Sequence, residues 1–377
     1  MKKFNILFVL FLGYLLLAFS FKNANPDEFL KSLRTQYEKD PSEWPAPEID
    51  SGIVWKELAA MDYPPAPIKD SILLKKIQLG KILFFDPRLS TSGQISCSSC
   101  HDPELSWTDG KKFAIGHDHQ QGPRNTPSIQ NLAANQVFLW DGRRQSLAEQ
   151  AKDAMLNPKE MHTDLKKLPA KLNRIKGYKV YFDQVFGEKQ QRNEEQILES
   201  IAAFVGNISS RNTRFDNFMM GRKRALSDQQ VWGLHLFRTK ARCMNCHNGA
   251  MFTDGDFHNL GFSNYGAENQ DLGKYLISHD REDVGKFKTP SLRDVMRTSP
   301  WFHDGRFNEI EALLNMYVSG MKQPRPKGGQ LNDPLFPKTS PHLKPLKINL
   351  EERAAIISFL TAISSAPLDF KRPELPQ

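Results

Sequence analysis

The chain has 377 residues, a formal net charge of +8, 39% hydrophobic residues and 10% aromatic residues. This length accommodates two domains with hydrophobic cores, and the composition is ordinary for a globular protein. No basic run is long enough to predict binding to nucleic acid, so the positive charge is interpreted as a mixed, solvated surface. A docking face for a small redox protein remains open.

The amino terminus has the pattern of an export signal. A basic start at residues 1–3 precedes an apolar run of about sixteen residues, from Ile6 to Phe21. This run is shorter than the ~20 residues that span a membrane. A cleaved signal over residues 1–21 is therefore favoured over a retained N-terminal membrane anchor. Both alternatives place the mature protein outside the cytoplasm, in the periplasm.

Residues 22–71 form a proline-rich extension with one short helix near residues 26–39. We expect this extension to wrap the first domain. From residue 72 onward, apolar residues recur at helical spacing and strand signals are few, so the fold class is mainly α. Glycine-rich loops fill residues 249–275. The further predicted helices cover residues 143–156, 165–186, 194–208, 227–237 with Ser227 as cap, 310–318 and 351–363.

Two short segments, residues 97–101 (CSSCH) and 243–247 (CMNCH), contain all four cysteines of the chain. In a C-x-x-C-H motif the two thiols attach covalently to a haem, and the histidine binds the haem iron. A structural zinc site would leave a surplus histidine, and a thiol redox pair would not require one. The sequence therefore predicts two covalently bound c-type haems. The residues that would hold them are Cys97, Cys100, His101, Cys243, Cys246 and His247.

The two motifs begin 146 positions apart, which is about one domain length. We therefore predict two cytochrome c-like haem domains, over residues 72–222 and 223–377, with few strands. The C-terminal tail is a candidate for packing back on the first domain.

Several further segments accompany the motifs in a fixed order. They are residues 79–90 (LGKILFFDPRLS), 115–117 (IGH), 122–128 (GPRNTPS), 138–143 (FLWDGR), 157–161 (NPKEM), 287–293 (FKTPSLR) and 302–305 (FHDG). On these segments the sequence, from about residue 72 to residue 365, resembles the bacterial dihaem cytochrome c peroxidases and the related dihaem enzymes that mature tryptophylquinone cofactors.

The resemblance implies two haem domains in a pseudo-twofold arrangement, with a calcium ion between them. The second haem would take electrons from a small donor protein, a cytochrome c or a cupredoxin. It would pass them to the first haem, where hydrogen peroxide is reduced to water. A homodimer is compatible with the resemblance, and no nucleic-acid partner is expected.

The same resemblance implies roles for residues around the first haem. His117 matches the distal iron ligand of the resting enzyme, which leaves when the second haem is reduced; His119 is a nearby competitor. Glu160 matches the distal acid that moves protons during peroxide cleavage. We expect Gln150 to line the same pocket, where Ala154 replaces a proline that many relatives carry.

Other matched residues lie between the haems and around the second one. Trp140 matches a tryptophan between the two haems that could relay electrons. Asn125, through its side chain, and Thr298 and Pro300, through their carbonyl groups, match the calcium site, and oxygen ligands suit this hard cation.

The axial ligand of the second haem divides the family, because the peroxidases use a methionine and the maturing enzymes a tyrosine. An ungapped match from His303 places Tyr317 at this position, with Met316 one residue earlier. Tyr317 shares an apolar helix face with residues 310, 313 and 314, whereas Met316 lies about 100° away. Tyr317 is therefore the preferred ligand, and Met316 the alternative.

These observations favour a peroxidase. Two alternatives remain: a maturing enzyme that oxidises residues of a partner protein, and a dihaem electron carrier without substrate chemistry. The pair of His117 and Glu160 argues against the carrier, because a carrier needs no acid beside an iron that can open.

Overall fold

The structure is a computed structural model, and it describes residues 26–61, 68–367 and 369–377. The predicted export signal lies outside these residues. Within them, the strands β1 (Phe257–His258) and β2 (Phe287–Lys288) pair antiparallel, and no helix is long and apolar enough to cross a membrane. The predicted mainly α fold is confirmed. The helices are α1 (Pro26–Tyr37), α2 (Ser71–Phe85), α3 (Leu147–Leu156), α4 (Leu168–Asn173), α5 (Tyr178–Phe186), α6 (Glu194–Gly206), α7 (Arg214–Met219), α8 (Asp228–Arg238), α9 (Tyr275–Ser278), α10 (Ile310–Val318) and α11 (Leu350–Ala362).

Local capping signals explain where several helices begin. The predicted cap Ser227 is confirmed, because its side chain accepts a hydrogen bond from the backbone of Gln230 and α8 starts at the next residue. The helix predicted over residues 165–186 is instead two helices, α4 and α5. Between them the N–H of Gly177 donates to the carbonyl of Gln377 at 2.9 Å. The interruption thus provides a contact for the chain end.

The described chain builds two hydrophobic cores around similar helix pairs. In the first core α2 crosses α6, and in the second α8 crosses α11. A glycine stands at each crossing: a Cβ at Gly80 would lie 1.8 Å from the carbonyl oxygen of Ser200, and one at Gly233 would lie 2.0 Å from that of Ala355. Only glycine permits such a close approach of two backbones. The two halves therefore repeat one packing solution.

The N-terminal extension packs on the second core, so the expectation that it wraps the first domain is wrong. Arg238, at the end of α8, is fully buried, donates to the carbonyl of Pro45 at 2.6 Å and forms an ion pair with Glu57. Such a buried cation requires a partner, and the extension supplies it. The apolar residues of the extension that enter the second core are Leu33, Tyr37, Trp44 and Leu58.

The C-terminal tail, residues 369–377, contacts the first core, just as the N-terminal extension contacts the second core. Phe370 stacks on Phe85 with ring centroids 5.5 Å apart, and Arg88 donates to the carbonyl of Pro376 at 2.9 Å. Helix α7 also differs from the expected division at residues 222 and 223, because its Phe215 lies in the second core. The N-terminal extension therefore packs on the second half of the molecule, and the C-terminal tail packs on the first half.

A largely buried arginine joins loops from the two halves. Arg124 Nη1 lies 2.6 Å from Asp141 Oδ2, and Arg124 Nε lies 2.7 Å from Asp271 Oδ2. Although burial opposes its charge, the hydrogen bonds to Asp271 raise the pKa of Arg124 above its usual value. This fixed ion-pair group holds the segment of Asn125 against the second half.

Candidate haem sites

The first C-x-x-C-H motif begins with a short 3-10 turn, Cys97–Ser99, and its two cysteines are not joined in a disulfide. His101 Nδ1 lies 2.9 Å from the carbonyl oxygen of Trp107. Because a carbonyl group only accepts hydrogen bonds, Nδ1 carries the proton and Nε2 keeps its lone pair for a metal. Burial lowers the pKa of His101, which favours the neutral imidazole that binds metals.

The second motif repeats this geometry. It begins with the 3-10 turn Cys243–Asn245, and His247 Nδ1 donates to the carbonyl of Phe252 at 3.0 Å. Burial raises the pKa of Cys97 and Cys243 to about 12. Redox-active and metal-binding thiols have lowered pKa values. Cys97 and Cys243 therefore lack the lowered pKa that is typical of redox-active thiolates.

Glu160 lies close enough to the first motif for its charge to raise the pKa of both Cys97 and Cys100. Burial raises the pKa of Glu160, although the hydrogen bond from Asn157 acts in the opposite direction. Asn157 Nδ2 donates to Glu160 Oε1 at 2.7 Å. A largely buried carboxyl that can hold a proton thus lies beside the attachment point of the first haem.

His117 is connected to the same place by its backbone, because its N–H donates to the carbonyl of Glu160 at 2.8 Å. The imidazole packs against that of His162, with ring centroids 4.7 Å apart. Its Nδ1 is buried and has no hydrogen-bond partner among the described residues. Such an unpaired nitrogen fits a missing ligand contact. The competing His119 is exposed.

A cavity of about 310 Å³ lies between the second motif and α10. His247 and Tyr317 both line it, whereas Met316 is half-buried and is not among its lining residues. Burial, followed by the charges of Cys246 and Cys243, raises the pKa of Tyr317 above its usual range. Of the two candidate axial ligands, Tyr317 is therefore the one that faces the second motif, while its bond to iron stays a prediction.

Trp140 and Gln150 line the same cavity. Trp140 Nε1 donates to the carbonyl of Asn125 at 3.0 Å, so the indole is fixed beside the junction of the halves. Gln150 Oε1 is buried and has no hydrogen-bond partner in the described part of the chain. The sequence places Gln150 in one pocket with Glu160, whereas the structure places it on the wall of the cavity that reaches the second motif.

The three predicted calcium ligands, Asn125, Thr298 and Pro300, all line this cavity. Asn125 Nδ2 donates to the carbonyl of Lys111 at 2.8 Å. The side-chain nitrogen of Asn125 is thereby engaged in a hydrogen bond, which leaves the side-chain oxygen of Asn125 to bind a cation. The donor atoms available are oxygens, which is the ligand chemistry that calcium requires.

Sequence reasoning missed two cations on the cavity wall, His258 and Lys288. His258 Nε2 lies 2.8 Å from Asp254 Oδ2, and both residues have ligand-type atoms within 4.8 Å of Cys246 Sγ. Burial opposes protonation, but the hydrogen bond to Asp254 raises the pKa of His258 to about 10. His258 stands in a glycine-rich loop without periodicity, so no local pattern signals its position.

Comparison with known proteins gives a consistent result. The family model described as di-haem cytochrome c peroxidase matches residues 74–224. Methylamine utilization protein MauG of Methylorubrum extorquens is 34% identical over 314 residues, which cover 83% of this chain and 84% of that protein. Cytochrome c551 peroxidase of Nitrosomonas europaea is 35% identical over 303 residues, or 79% of this chain and 83% of that protein.

A solved structure agrees with these matches. The crystal structure of a MauG-like protein associated with microbial copper homeostasis has a TM-score of 0.70 and 26% identity, over 84% of this chain and 96% of that one. The match to MauG is long enough to include both C-x-x-C-H motifs. The chain therefore belongs to the family of dihaem cytochrome c peroxidases and MauG proteins, and it is an oxidoreductase with two c-type haems.

Proposed function

We propose that this protein is an exported, periplasmic enzyme that reduces hydrogen peroxide at a first haem held by residues 97–101. A second haem, held by residues 243–247, accepts electrons from a small donor protein such as a cytochrome c or a cupredoxin. The observation that carries the proposal is the buried carboxyl of Glu160 beside the thiols of the first motif. When bound, the first haem supplies the iron that binds peroxide and the electrons that reduce it.

Glu160 provides the proton transfer that peroxide cleavage requires. A single group must accept a proton from one peroxide oxygen and deliver it to the other, which leaves as water. Burial raises the pKa of Glu160, so its carboxyl keeps a proton at higher pH than an exposed glutamate. Asn157 donates to Oε1, which orients the carboxyl group and leaves Oε2 for the exchange with substrate.

His117 acts as the removable distal ligand of the first haem. The two residues that follow it, Asp118 and His119, have positive φ angles of 52° and 57°, a left-handed conformation that is unfavourable for non-glycine residues. The N–H of His117 is bonded to the carbonyl of Glu160. Movement of His117 therefore displaces the residue that carries the acid, and ligand release is coupled to the position of Glu160.

A second candidate function, oxidation of a partner protein, is favoured by Tyr317 on the second cavity. A tyrosine oxygen is a harder, more anionic ligand than the thioether of Met316 and stabilises ferric iron. Tyr317 would thereby lower the reduction potential of the second haem and make it a poor acceptor of electrons from a high-potential donor. Oxidising equivalents could then be used on a partner protein.

Calcium is the remaining part of the proposal. Asn125, Thr298 and Pro300 line the same cavity as Trp140, whose indole donates to the carbonyl of Asn125. A cation bound there would fix the loop that carries the Trp140 contact, and we assign Trp140 as the relay between the haems. Few protein oxygens are available, so water molecules would complete the coordination shell.

The decisive experiment replaces Glu160 by Gln and measures peroxide turnover with a reduced small donor. Glutamine keeps the size of the side chain but cannot exchange a proton. We expect a loss of about 10²–10⁴-fold in kcat, the usual contribution of a positioned acid–base group, with both haems still attached. The matched control is Glu199→Gln, a first-half carboxylate that pairs with Lys76 near the surface.

Full turnover by the Glu160→Gln variant would contradict the assignment of the acid. Absence of peroxide turnover in the wild type, combined with rapid electron exchange, would contradict the peroxidase proposal and support an electron carrier.

A further inference from the structure

The turn that follows His101 has an unfavourable backbone conformation. Ser106 and Trp107 both have positive φ angles, of 54° and 62°. This left-handed conformation is unfavourable for residues that carry a Cβ. Trp107 is also the residue whose carbonyl accepts the hydrogen bond from His101 Nδ1. The geometry of the candidate iron ligand thus depends on a turn, residues 102–108, that surrounding contacts must stabilise.

The C-terminal tail supplies two of these contacts. The ring of Phe370 meets that of Trp107 edge to face, with centroids 5.1 Å apart. Arg372 Nη2 lies 3.1 Å from Asp102 Oδ2, and Asp102 directly follows His101. The tail therefore contacts both the residue that carries the accepting carbonyl and the first residue of the turn.

The tail is itself held on the first core by main-chain acceptors. Lys81 Nζ donates to the carbonyl of Lys371 at 2.8 Å and also lies 4.4 Å from the centre of the Phe370 ring. Arg88 donates to the carbonyl of Pro376 at 2.9 Å. Because α2 carries Lys81 and the next turn carries Arg88, the tail is fixed relative to the helix that leads to the first motif.

The second half achieves the same geometry without a tail. Phe252, the acceptor residue for His247, is fully buried and has a φ of 51°. The rings around it belong to helices of its own core, with centroids at 5.4–6.1 Å: Phe215, Phe237 and Phe359. An aromatic ring from a chain end therefore packs on the acceptor residue of the first half, whereas the N-terminal extension meets the second turn through its backbone, where the N–H of Gly249 donates to the carbonyl of Lys56 at 3.0 Å.

We propose that Phe370 and Arg372 are positioning residues of the first haem, which hold the turn 102–108 so that the Trp107 carbonyl stays against His101 Nδ1. A histidine that donates to a carbonyl group is a better electron donor to its metal. The tail thus adjusts the electron donation of His101 without contacting substrate or haem. This inference rests on the proposed role of His101 as iron ligand.

The test uses the full-length protein with both haems and the variant Phe370→Ala. Loosening of the turn weakens the bond to His101, so the iron–histidine stretching band of the fully reduced first haem should shift to lower frequency. The midpoint potential of that haem should rise, while that of the second haem stays unchanged. Phe370→Tyr keeps the edge contact and should restore both values. Arg372→Gln should act in the same direction but more weakly, because the ion pair is half-exposed.

The matched control is Phe186→Ala. Phe186 is also half-buried against the first core, but it packs on Phe182 rather than on Trp107. Equal shifts in the Phe186 and Phe370 variants, or no shift in Phe370→Ala, would overturn the positioning role. His101→Gly tests the ligand assignment separately from the positioning role of the tail. If the iron–histidine band persists in that variant, His101 is not the iron ligand.

Discussion

The two halves are alike on one side of each haem motif and different on the other. Below the motifs, His101 and His247 each donate to the carbonyl of an aromatic residue with a positive φ angle. Each of these aromatic residues lies among phenylalanine rings, and each half has a glycine at its main helix crossing. The scaffold that orients the proximal histidine is thus duplicated.

On the distal side the halves diverge. The first motif faces the buried acid Glu160 and the loop of His117, whereas the second faces the cavity lined by Tyr317. A repeated proximal frame combined with different distal groups indicates that the functional difference between the two haems lies in their distal residues. Substitutions of distal residues should therefore affect only one haem. Equivalent substitutions in the repeated scaffold should have similar effects in the two halves.

The largest expected effect comes from removing the candidate distal ligand of each half. His117→Gly should leave the first haem five-coordinate without a reduction step, because glycine offers no ligand. Tyr317→Phe should change the low-spin spectrum of the second haem, because phenylalanine cannot bind iron. Absorption and electron paramagnetic resonance spectra of the oxidised protein measure both effects, and each variant should leave the other haem unaltered.

Met316→Leu is the matched control, since Met316 adjoins Tyr317 on α10 but does not line the cavity. If this variant changes the second haem, and the wild type shows a methionine–iron charge-transfer band, the tyrosine assignment is wrong. An unchanged first haem in His117→Gly would direct attention to His119 despite its exposure.

An intermediate effect is expected at the helix crossings, where the halves should respond alike. Gly80→Ala and Gly233→Ala each place a methyl group within about 2 Å of a backbone carbonyl oxygen. The helices must separate, and overpacking of this kind costs about 1–3 kcal/mol, occasionally more. Thermal unfolding of the haem-loaded protein should show a lower Tm for both variants.

Gly206→Ala is the control for this pair. Gly206 also lies in a helix, but its added Cβ would approach only the flexible end of Leu147, at 3.3 Å. We expect a change within about 0.5 kcal/mol. Destabilisation of the three variants by one common amount would show that the close backbone approach is not the cause.

Sequence reasoning succeeded where the signal is local. Ser227 predicts the start of α8 because its capping interaction needs only the next three residues. The apolar face of α10 can be predicted from helical periodicity. It failed where distant segments meet. Arg238 and Glu57 are 181 positions apart, so nothing in either segment reveals that the extension belongs on the second core.

The site shows the same limit. The haem motifs and Glu160 lie in short, distinctive segments, and the resemblance to a family assigned them roles. Gln150 and His258 depend on which cavity wall their backbone reaches, and this is decided by packing between the halves. The contact of Phe370 with Trp107 likewise joins residues from opposite ends of the chain, so only the three-dimensional structure reveals it.

The smallest expected effect is a difference in acid sensitivity between the N-terminal extension and the C-terminal tail. The extension is attached to the second motif through Asp50, whose N–H donates to Asn245 Oδ1 at 2.7 Å and whose carboxylate pairs with Arg242 and His342. Burial opposes ionisation, but the hydrogen bonds from Arg242 and His342 lower the pKa of Asp50 to about 2 from its ordinary value of 3.8. The tail on the first half is held largely by carbonyl acceptors, which do not titrate.

The lowered pKa fixes the sign of the pH dependence. The stabilisation from Asp50 is fully present above pH 3.8 and is lost as the pH falls through about 2. Because the pair lies near the surface, the effect should be about 1 kcal/mol. As the pH falls from 3.8 to about 2, hydrogen exchange in residues 45–61 should therefore rise more than in residues 369–377. Asp50→Asn should exchange faster in the extension already at pH 7, with a flatter pH profile. An equal rise at both ends would mean that acid loosens the whole fold. A rise that is confined to the extension, and that Asp50→Asn abolishes, would identify this carboxylate as the acid-sensitive contact between the extension and the second haem motif.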